Sequence, residues 1–85
     1  MASYSIEIKK SATKEIAKIP NPHLKRIIDA IASLADDPRL PGSKKLSGDE
    51  KYRIRVGTYR ILYQIEDRRL VVYVVKVGHR KGVYR

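Results

Sequence analysis

The chain of 85 residues contains no cysteine, which excludes a disulfide framework and a thiolate metal site. No apolar run is long enough to cross a membrane, and the N-terminal stretch lacks the apolar core of a signal peptide. A glycine-rich phosphate loop is also missing. We therefore expect a single domain over residues 1–85, located in a reducing cytoplasm, with no membrane partner and no cofactor.

Histidines are too few for a metal site. His23 and His79 are the only two, they lie far apart in the sequence, and no cysteine can join them. We expect no metal ion. His23, placed early on a predicted helix, is expected to be solvated, whereas His79 is a candidate contact to phosphate.

Acidic residues are scarce in the second half of the chain. Residues 1–50 hold nine Lys or Arg against seven Asp or Glu, whereas residues 51–85 hold ten against two. Those two, Glu66 and Asp67, fall in a predicted turn, so hydrolysis by paired carboxylates is not expected. A basic half in a chain of net charge +10 favours a polyanionic partner such as a nucleic acid.

The run Lys51–Ile65 alternates with a period of two and predicts a β-hairpin. Its two-residue link, Gly57-Thr58, suits a type II′ turn and sets Val56 opposite Tyr59. One face is then apolar and predicted to pack on the core; it carries Tyr52, Ile54, Val56, Tyr59, Ile61 and Tyr63. The other face carries Lys51, Arg53, Arg55, Arg60, Leu62 and Gln64.

Arg55 falls directly opposite Arg60 in this register. Like charges in that position destabilise a sheet by a few tenths to about 1 kcal/mol. A structural cost of this kind indicates a polyanion that binds there. The polar face of the hairpin is therefore the candidate active or binding surface.

Periodicity also places the remaining elements. A strand is expected over residues 2–9, and a short helix is expected to begin at a Ser11 cap. A longer helix should follow an Asn21 cap and end before Asp37-Pro38. Its apolar stripe comprises Leu24, Ile27, Ile28, Ile31, Leu34 and Ala35. The segment 39–50 is expected to be a loop, with Leu46 at the edge of the core. The segment 70–75, apolar on both faces, is typical of a central strand.

The resulting order is β-α-α-β-β-β, an α+β fold. Two helices pack on one face of a small, mostly antiparallel sheet formed by the first strand and a three-stranded meander. The opposite face is open and carries the cations of the hairpin.

Arginine, lysine and tyrosine are the side chains left for chemistry. Guanidinium groups bind phosphate oxygens bidentately and stabilise charge in a transition state, and tyrosine can stack on a base. RNA supplies its own 2′-hydroxyl as a nucleophile, so such a set can cleave a phosphodiester without a metal ion. Arginine is a poor base, which leaves Lys51 or Tyr84 as the candidate base.

Three stretches of the chain resemble the RelE/ParE toxin superfamily of toxin–antitoxin pairs. They are Lys44-Lys45-Leu46-Ser47-Gly48, Tyr52–Tyr63 and the ending Val77–Arg85. The resemblance covers nearly the whole chain and implies the RelE-like fold. It implies either cleavage of mRNA in the ribosomal A site, as in the RelE branch, or inhibition of DNA gyrase, as in the ParE branch. A C-terminal Tyr84 favours the RelE branch.

In RelE-type members the resemblance implies a catalytic set at Arg53, Arg55, Arg60, Arg80 and Tyr84. Arg60 and Arg80 would stabilise the phosphate, and Tyr84 would stack on a base. Further RNA contacts are expected from Lys44, Lys45, Lys51, His79, Lys81 and Arg85. The positions of Arg53 and Arg55 are often lysine in the family, so the two arginines weaken the assignment of a general base.

The predicted function is thus a ribosome-dependent endoribonuclease toxin, whose partners are the ribosome, mRNA and an acidic antitoxin protein. Two alternatives stay open from the sequence. One is a non-catalytic inhibitor of DNA gyrase on the same scaffold, and the other is a plain RNA-binding module.

Overall fold

In a computed structural model the chain forms two helices and a five-stranded sheet within the described residues 3–40, 42–46 and 51–79. The helices are α1 (Lys10–Ala17) and α2 (His23–Asp36). The strands are β1 (Ser5–Ile8), β2 (Lys44–Lys45), β3 (Lys51–Val56), β4 (Tyr59–Glu66) and β5 (Val71–His79). Neither helix in these ranges is long and apolar enough to cross a bilayer.

The sheet has the order β1-β5-β4-β3-β2, in which only β1 and β5 run parallel. The predicted α+β class and the mostly antiparallel sheet are confirmed. One expectation was wrong, because part of the expected loop forms β2, which pairs with β3. β5 lies between β1 and β4 and is therefore an interior strand, as its apolar sequence predicted. A two-residue edge strand is too short to show a period in the sequence.

Both helices lie on one face of the sheet, where α1 packs on β5 and α2 on β1 and β3. The centre of the α2 stripe is buried at Ile27, Ile31 and Leu34, against sheet residues such as Ile61 and Val74. Ile28, expected in that stripe, is 50% exposed. It follows Ile27 by about 100° around the helix and so lies at the margin of the contact.

Neither predicted helix cap forms. α1 begins directly after Lys9 and α2 after Pro22, and neither residue makes a side-chain capping bond. Only Lys9 separates β1 from α1, so Ser11 lies inside the first turn instead of before it.

The hairpin register matches the prediction at all six pairs, from Val56 opposite Tyr59 to Lys51 opposite Gln64. Gly57 adopts a φ of +62°, and Thr58 does not lie in the left-handed region. Positive φ at the first turn residue alone is what a type II′ turn requires, and glycine adopts it without strain.

A β-bulge in β5 changes which residues face the helices. Leu62 pairs with Lys76 and Tyr63 with Val74, so Val75 is the extra residue. One extra residue reverses the alternation, and both Val74 and Val77 are therefore buried.

Beyond the bulge, β5 extends past the end of β1 and has no strand of the described residues beside it on that edge. A side chain of α1, Glu15, forms hydrogen bonds to this part of β5 instead. Glu15 accepts a hydrogen bond from the backbone N–H of Val77 at 2.9 Å through Oε1. Its Oε2 lies 3.1 Å from Lys76 Nζ. The Glu15 carboxylate thus accepts one backbone N–H of this edge and pairs with the charge of Lys76.

A polar clasp joins the loop after α2 to the turn between β4 and β5. Arg39 donates to both carboxylate oxygens of Asp67, at 3.0 and 3.3 Å, and to the hydroxyl of Tyr52 at 3.1 Å. Tyr4 donates to Asp67 Oδ1 at 2.6 Å. The hydrogen bond from Arg39 lowers the pKa of Asp67, and the bond to Asp67 raises the pKa of Tyr4.

Candidate nucleic-acid interface

The sheet face opposite the helices carries a continuous set of cations on its β2–β4 side. Alternation places Lys51, Arg53 and Arg55 of β3 on this face together with Arg60 of β4. Lys44 joins them because it pairs directly with Arg53. We call these five residues the basic face. The structure brings together three of the five predicted catalytic residues.

Arg55 and Arg60 are direct ladder partners, as predicted, but their surroundings differ. Arg55 is exposed, whereas Arg60 is only 6% exposed. The expectation of an open row of cations was therefore wrong at Arg60. On its other side Arg60 pairs with Gly78, which has no side chain to lie beside it. Arginine keeps its charge when buried, so Arg60 is a positioned, permanent cation.

Two predicted RNA contacts lie on the other side of the sheet. Lys45 pairs with Tyr52, whose ring faces the helices. His79 pairs with Tyr59, and the two rings meet edge to face with centroids 5.7 Å apart. The bulge in β5 reverses the alternation and brings His79 to this side. His23, expected to be solvated, is half-buried, and its ring centroid lies 5.6 Å from that of Tyr59.

Four predicted site residues lie outside the described residues: Arg80, Lys81, Tyr84 and Arg85. Ser47 and Gly48 of the first motif do so too. Their roles stay predictions.

A small apolar hollow of about 150 Å³ opens next to the basic face. Leu46, Leu62 and Val75 supply its apolar walls, and Lys51 and Gln64 supply its polar rim. Leu46 therefore faces this hollow, whereas the sequence suggested a place at the edge of the core. An apolar wall next to fixed cations can accept a group that is apolar on one side and anionic on the other.

The same sheet face has a different character on its β1–β5 side. A groove of about 530 Å³ is lined there by Glu7, Glu66, Gln64, Tyr73 and Arg69, among others. Lys51, Gln64, Tyr73 and Glu7 are successive ladder partners across four strands. One row of residues across the sheet thus begins with the cation of Lys51 and ends with the carboxylate of Glu7. We call the groove on the β1–β5 side the acidic groove.

Arg55 is the exposed arginine of the basic face. The ion pairs between described residues join Arg39 to Asp67, Arg69 to Glu66 and Lys76 to Glu15. Arg55 belongs to none of them. Within the same residues no group of three His, Asp or Glu could hold a metal ion. The arrangement can bind phosphates and stabilise developing negative charge on them.

Comparison with known proteins places this geometry in a family context. The family model for the ParE toxin of the type II toxin-antitoxin system parDE matches residues 6–84. Toxin RelG of Mycobacterium tuberculosis is 30% identical over 86 residues, covering 96% of this chain and 97% of RelG. The mRNA interferase toxin RelE of Escherichia coli K12 is 26% identical, covering 93% of this chain and 85% of RelE.

Among solved structures, the archaeal RelE–RelB complex from Pyrococcus horikoshii contains a similar chain. Its TM-score is 0.81 at 26% identity, and the alignment covers 92% of this chain and 96% of that one. The similarity therefore extends over most of the chain.

Proposed function

The chain belongs to the RelE/ParE superfamily of toxins from type II toxin–antitoxin systems, and from that premise we propose that it is a ribosome-dependent endoribonuclease. The proposed substrate is mRNA in the ribosomal A site. The observation that carries the proposal is the basic face, where Arg53, Arg55 and Arg60 lie together on two paired strands. Similarity to an mRNA interferase of E. coli supports it.

The reaction needs no nucleophile from the protein. The 2′-oxygen of one nucleotide forms a bond to its own 3′-phosphorus, and the bond from that phosphorus to the 5′-oxygen of the next nucleotide breaks. The proton lost by the 2′-hydroxyl is balanced by one gained at the leaving 5′-oxygen. The products are a 2′,3′-cyclic phosphate and a 5′-hydroxyl.

The basic face would act on the phosphorane-like transition state. Arg60, held in place by burial, is suited to stabilise charge at one position, because a preorganised donor needs no rearrangement during the reaction. Arg55 is exposed and suited to bind the phosphate that enters. Lys51 and Tyr84 stay the candidates for the base, and Arg80 for the proton donor.

Dependence on the ribosome fits the shape of this surface. The basic face is one side of a sheet, and the hollow beside it is too small to enclose several nucleotides. An in-line attack needs the 2′-oxygen, phosphorus and 5′-oxygen to be aligned. We infer that the ribosome supplies this alignment by holding the mRNA.

The second proposed partner is an acidic antitoxin protein. Solved relatives of this fold include complexes of a RelE chain with RelB. The hollow between Leu46, Leu62 and Val75 would accept an apolar side chain of the antitoxin, while acidic residues next to it would neutralise the basic face. Binding there would compete directly with mRNA.

Primer extension on an mRNA under translation tests the proposal. New stops should appear only when ribosomes are present and should be absent with naked mRNA. Arg55→Ala and Arg60→Ala should weaken them by about 10²-fold or more, and Arg80→Ala should do the same. Arg68→Ala is the matched control, because Arg68 is an exposed arginine in the turn after β4. Circular dichroism of Arg60→Ala would separate lost chemistry from lost folding. Stops of parental intensity in both the Arg55 and Arg60 variants would contradict the assigned site.

A second candidate function is non-catalytic inhibition of DNA gyrase. The observation that favours it is the matching family model, which describes a ParE toxin. Supercoiling by purified gyrase, with and without the chain, tests it. Inhibition of gyrase by a chain that gives no stops on mRNA would replace the nuclease proposal.

A further inference from the structure

The hairpin tip carries a group of basic and aromatic side chains outside the basic face. The ring of Tyr59, just after the Gly57-Thr58 turn, contacts the imidazoles of both His23 and His79, at centroid distances of 5.6 and 5.7 Å. Arg26 lies one turn beyond His23 on α2. Its Nη1 comes within 3.8 Å of the position that a Cβ on Gly57 would occupy. We call His23, Arg26, Tyr59 and His79 the tip cluster.

The ring contacts of Tyr59 join three elements, α2, β4 and β5, and so fix the position of the hairpin tip. His23 is the first residue of α2, Tyr59 the first of β4 and His79 the last described residue of β5. Tyr59 and His23 are half-buried, whereas His79 is exposed. A ligand that arrives at the tip therefore meets an ordered surface with one imidazole open to solvent.

Arginines border the tip on both sides of the sheet. Arg55, at the end of β3, lies on the basic face, and Arg26 lies on the helix side. Neither takes part in an ion pair between described residues. By contrast, Arg39 is paired with Asp67. The tip thus carries two guanidinium groups that form no ion pair with a carboxylate among the described residues.

We propose that the tip cluster is a second RNA contact, at which Arg26 and His79 bind backbone phosphates of RNA that continues around the hairpin turn from the basic face. This proposal rests on the proposed function, because it assumes that RNA occupies the basic face. The contact lies on the helix side of the sheet, away from Arg60, so it adds affinity and leaves the chemical step to the basic face.

RNA fits this cluster better than an acidic peptide does. Guanidinium groups bind phosphate and carboxylate alike, but the aromatic and imidazole rings at the tip also offer surfaces on which unstacked bases can pack. The tip is also continuous with the basic face through Arg55, so one RNA strand can contact both.

The test compares two charge reversals on adjacent helix residues. Arg26→Glu changes the tip, and Lys25→Glu makes the same change of charge at an exposed position on the same helix. The probes are a short single-stranded RNA and ribosomes that carry an mRNA with an empty A site. Dissociation constants are measured at several salt concentrations, and kcat and KM of cleavage are measured on the ribosomes.

Arg26→Glu is expected to weaken RNA binding about tenfold more than Lys25→Glu does, and to reduce the salt slope by about 1. His79→Ala should weaken binding by a smaller factor. The cleavage loss should appear in KM, with kcat kept, because the contact is remote from the reacting phosphate.

Equal losses in Arg26→Glu and Lys25→Glu would overturn the proposal, since they would reflect only net charge. So would a loss of antitoxin binding in Arg26→Glu with RNA binding unchanged, which would assign the tip to an acidic peptide. The experiment also distinguishes a failure of the proposed nuclease function from a failure of the tip contact. A chain that cleaves no mRNA but binds RNA in an Arg26-dependent way would retain the tip contact and lose the nuclease assignment.

Discussion

The basic face and the acidic groove occupy the same side of the same sheet, yet they differ in charge. Along one ladder row, Lys51 is followed by Gln64, Tyr73 and Glu7. Both regions lie over one core and follow the same alternation of side chains. The two regions therefore differ in charge because different residues occupy the outward-facing positions. Packing of the core does not determine which residues stand there.

This polarity has a consequence for a bound polyanion. Phosphates are attracted to the β2–β4 side and repelled by Glu7 on the β1–β5 side, where Glu66 is paired with Arg69. An RNA strand on this face is thus confined to one half, next to Arg60. A surface that was basic throughout would bind more RNA but would place it less exactly.

The largest expected effect comes from reversing charge on the basic face. Arg53→Glu with Arg55→Glu should lower the cleavage rate by about 10²- to 10³-fold, because two phosphate contacts become repulsive. Single-turnover cleavage on programmed ribosomes measures it. The matched control is Arg68→Glu with Lys25→Glu, two exposed positions outside both the basic face and the acidic groove. If the control lost as much activity as the double variant, the rate would depend on total charge and not on the basic face.

A smaller effect tests whether the two regions share one core. Ile61 is buried near the basic face and Ile65 near the acidic groove. Ile61→Val and Ile65→Val should each lower the free energy of unfolding by about 1 kcal/mol, since each removes one buried methyl group. Urea denaturation measures both. A large effect in one and none in the other would indicate two regions of unequal packing.

The sequence was sufficient for the hairpin because two local rules act together there. A two-residue turn fixes the register of the strands, and a period of two then assigns each side chain to a face. All six pairs from Lys51 to Gln64 follow from these rules. Lys51, Arg53, Arg55 and Arg60 of the basic face were predictable for the same reason. Lys44 was not, because it joins them through β2, which the sequence had predicted to be a loop.

The features that the sequence did not reveal depend on distant residues. Arg60 is equivalent to Arg55 in the alternation, but its burial depends on how neighbouring elements pack. The side on which His79 lies depends on the bulge at Val75, and a run of valines gives no sign of it. The clasp of Arg39 and Asp67 joins residues 28 positions apart, and no local pattern encodes it.

A still smaller effect sharpens the role of the acidic groove. Glu7→Lys should tighten non-specific RNA binding about threefold and increase its salt slope by about 1, because RNA could then cross to the β1 side. Glu7→Gln should give an intermediate result. Binding to a short single-stranded RNA at several salt concentrations measures both. An unchanged salt slope in Glu7→Lys would mean that the groove does not limit the RNA.

The smallest expected effect separates two carboxylates near this end of the sheet. Asp67 is bonded to Arg39 and Tyr4, whereas Glu7 takes part in no ion pair between described residues. The bond to Arg39 lowers the pKa of Asp67 in the folded state. Its stabilisation is thus present above the ordinary aspartate pKa of about 4 and is lost as the pH falls through the lowered value.

Asp67→Asn should therefore lower the urea midpoint at neutral pH and make it fall less on acidification than in the parent. The effect is small because Arg39 and Asp67 are both well exposed to solvent, which screens the pair. Glu7→Gln, which removes a carboxylate outside the ion pairs between described residues, is the control and should leave the midpoint at neutral pH unchanged. A similar response in the two variants would mean that the loss of stability at low pH reflects general charge repulsion in a chain of net charge +10. The bonds of Asp67 to Arg39 and Tyr4 would then contribute nothing specific to it.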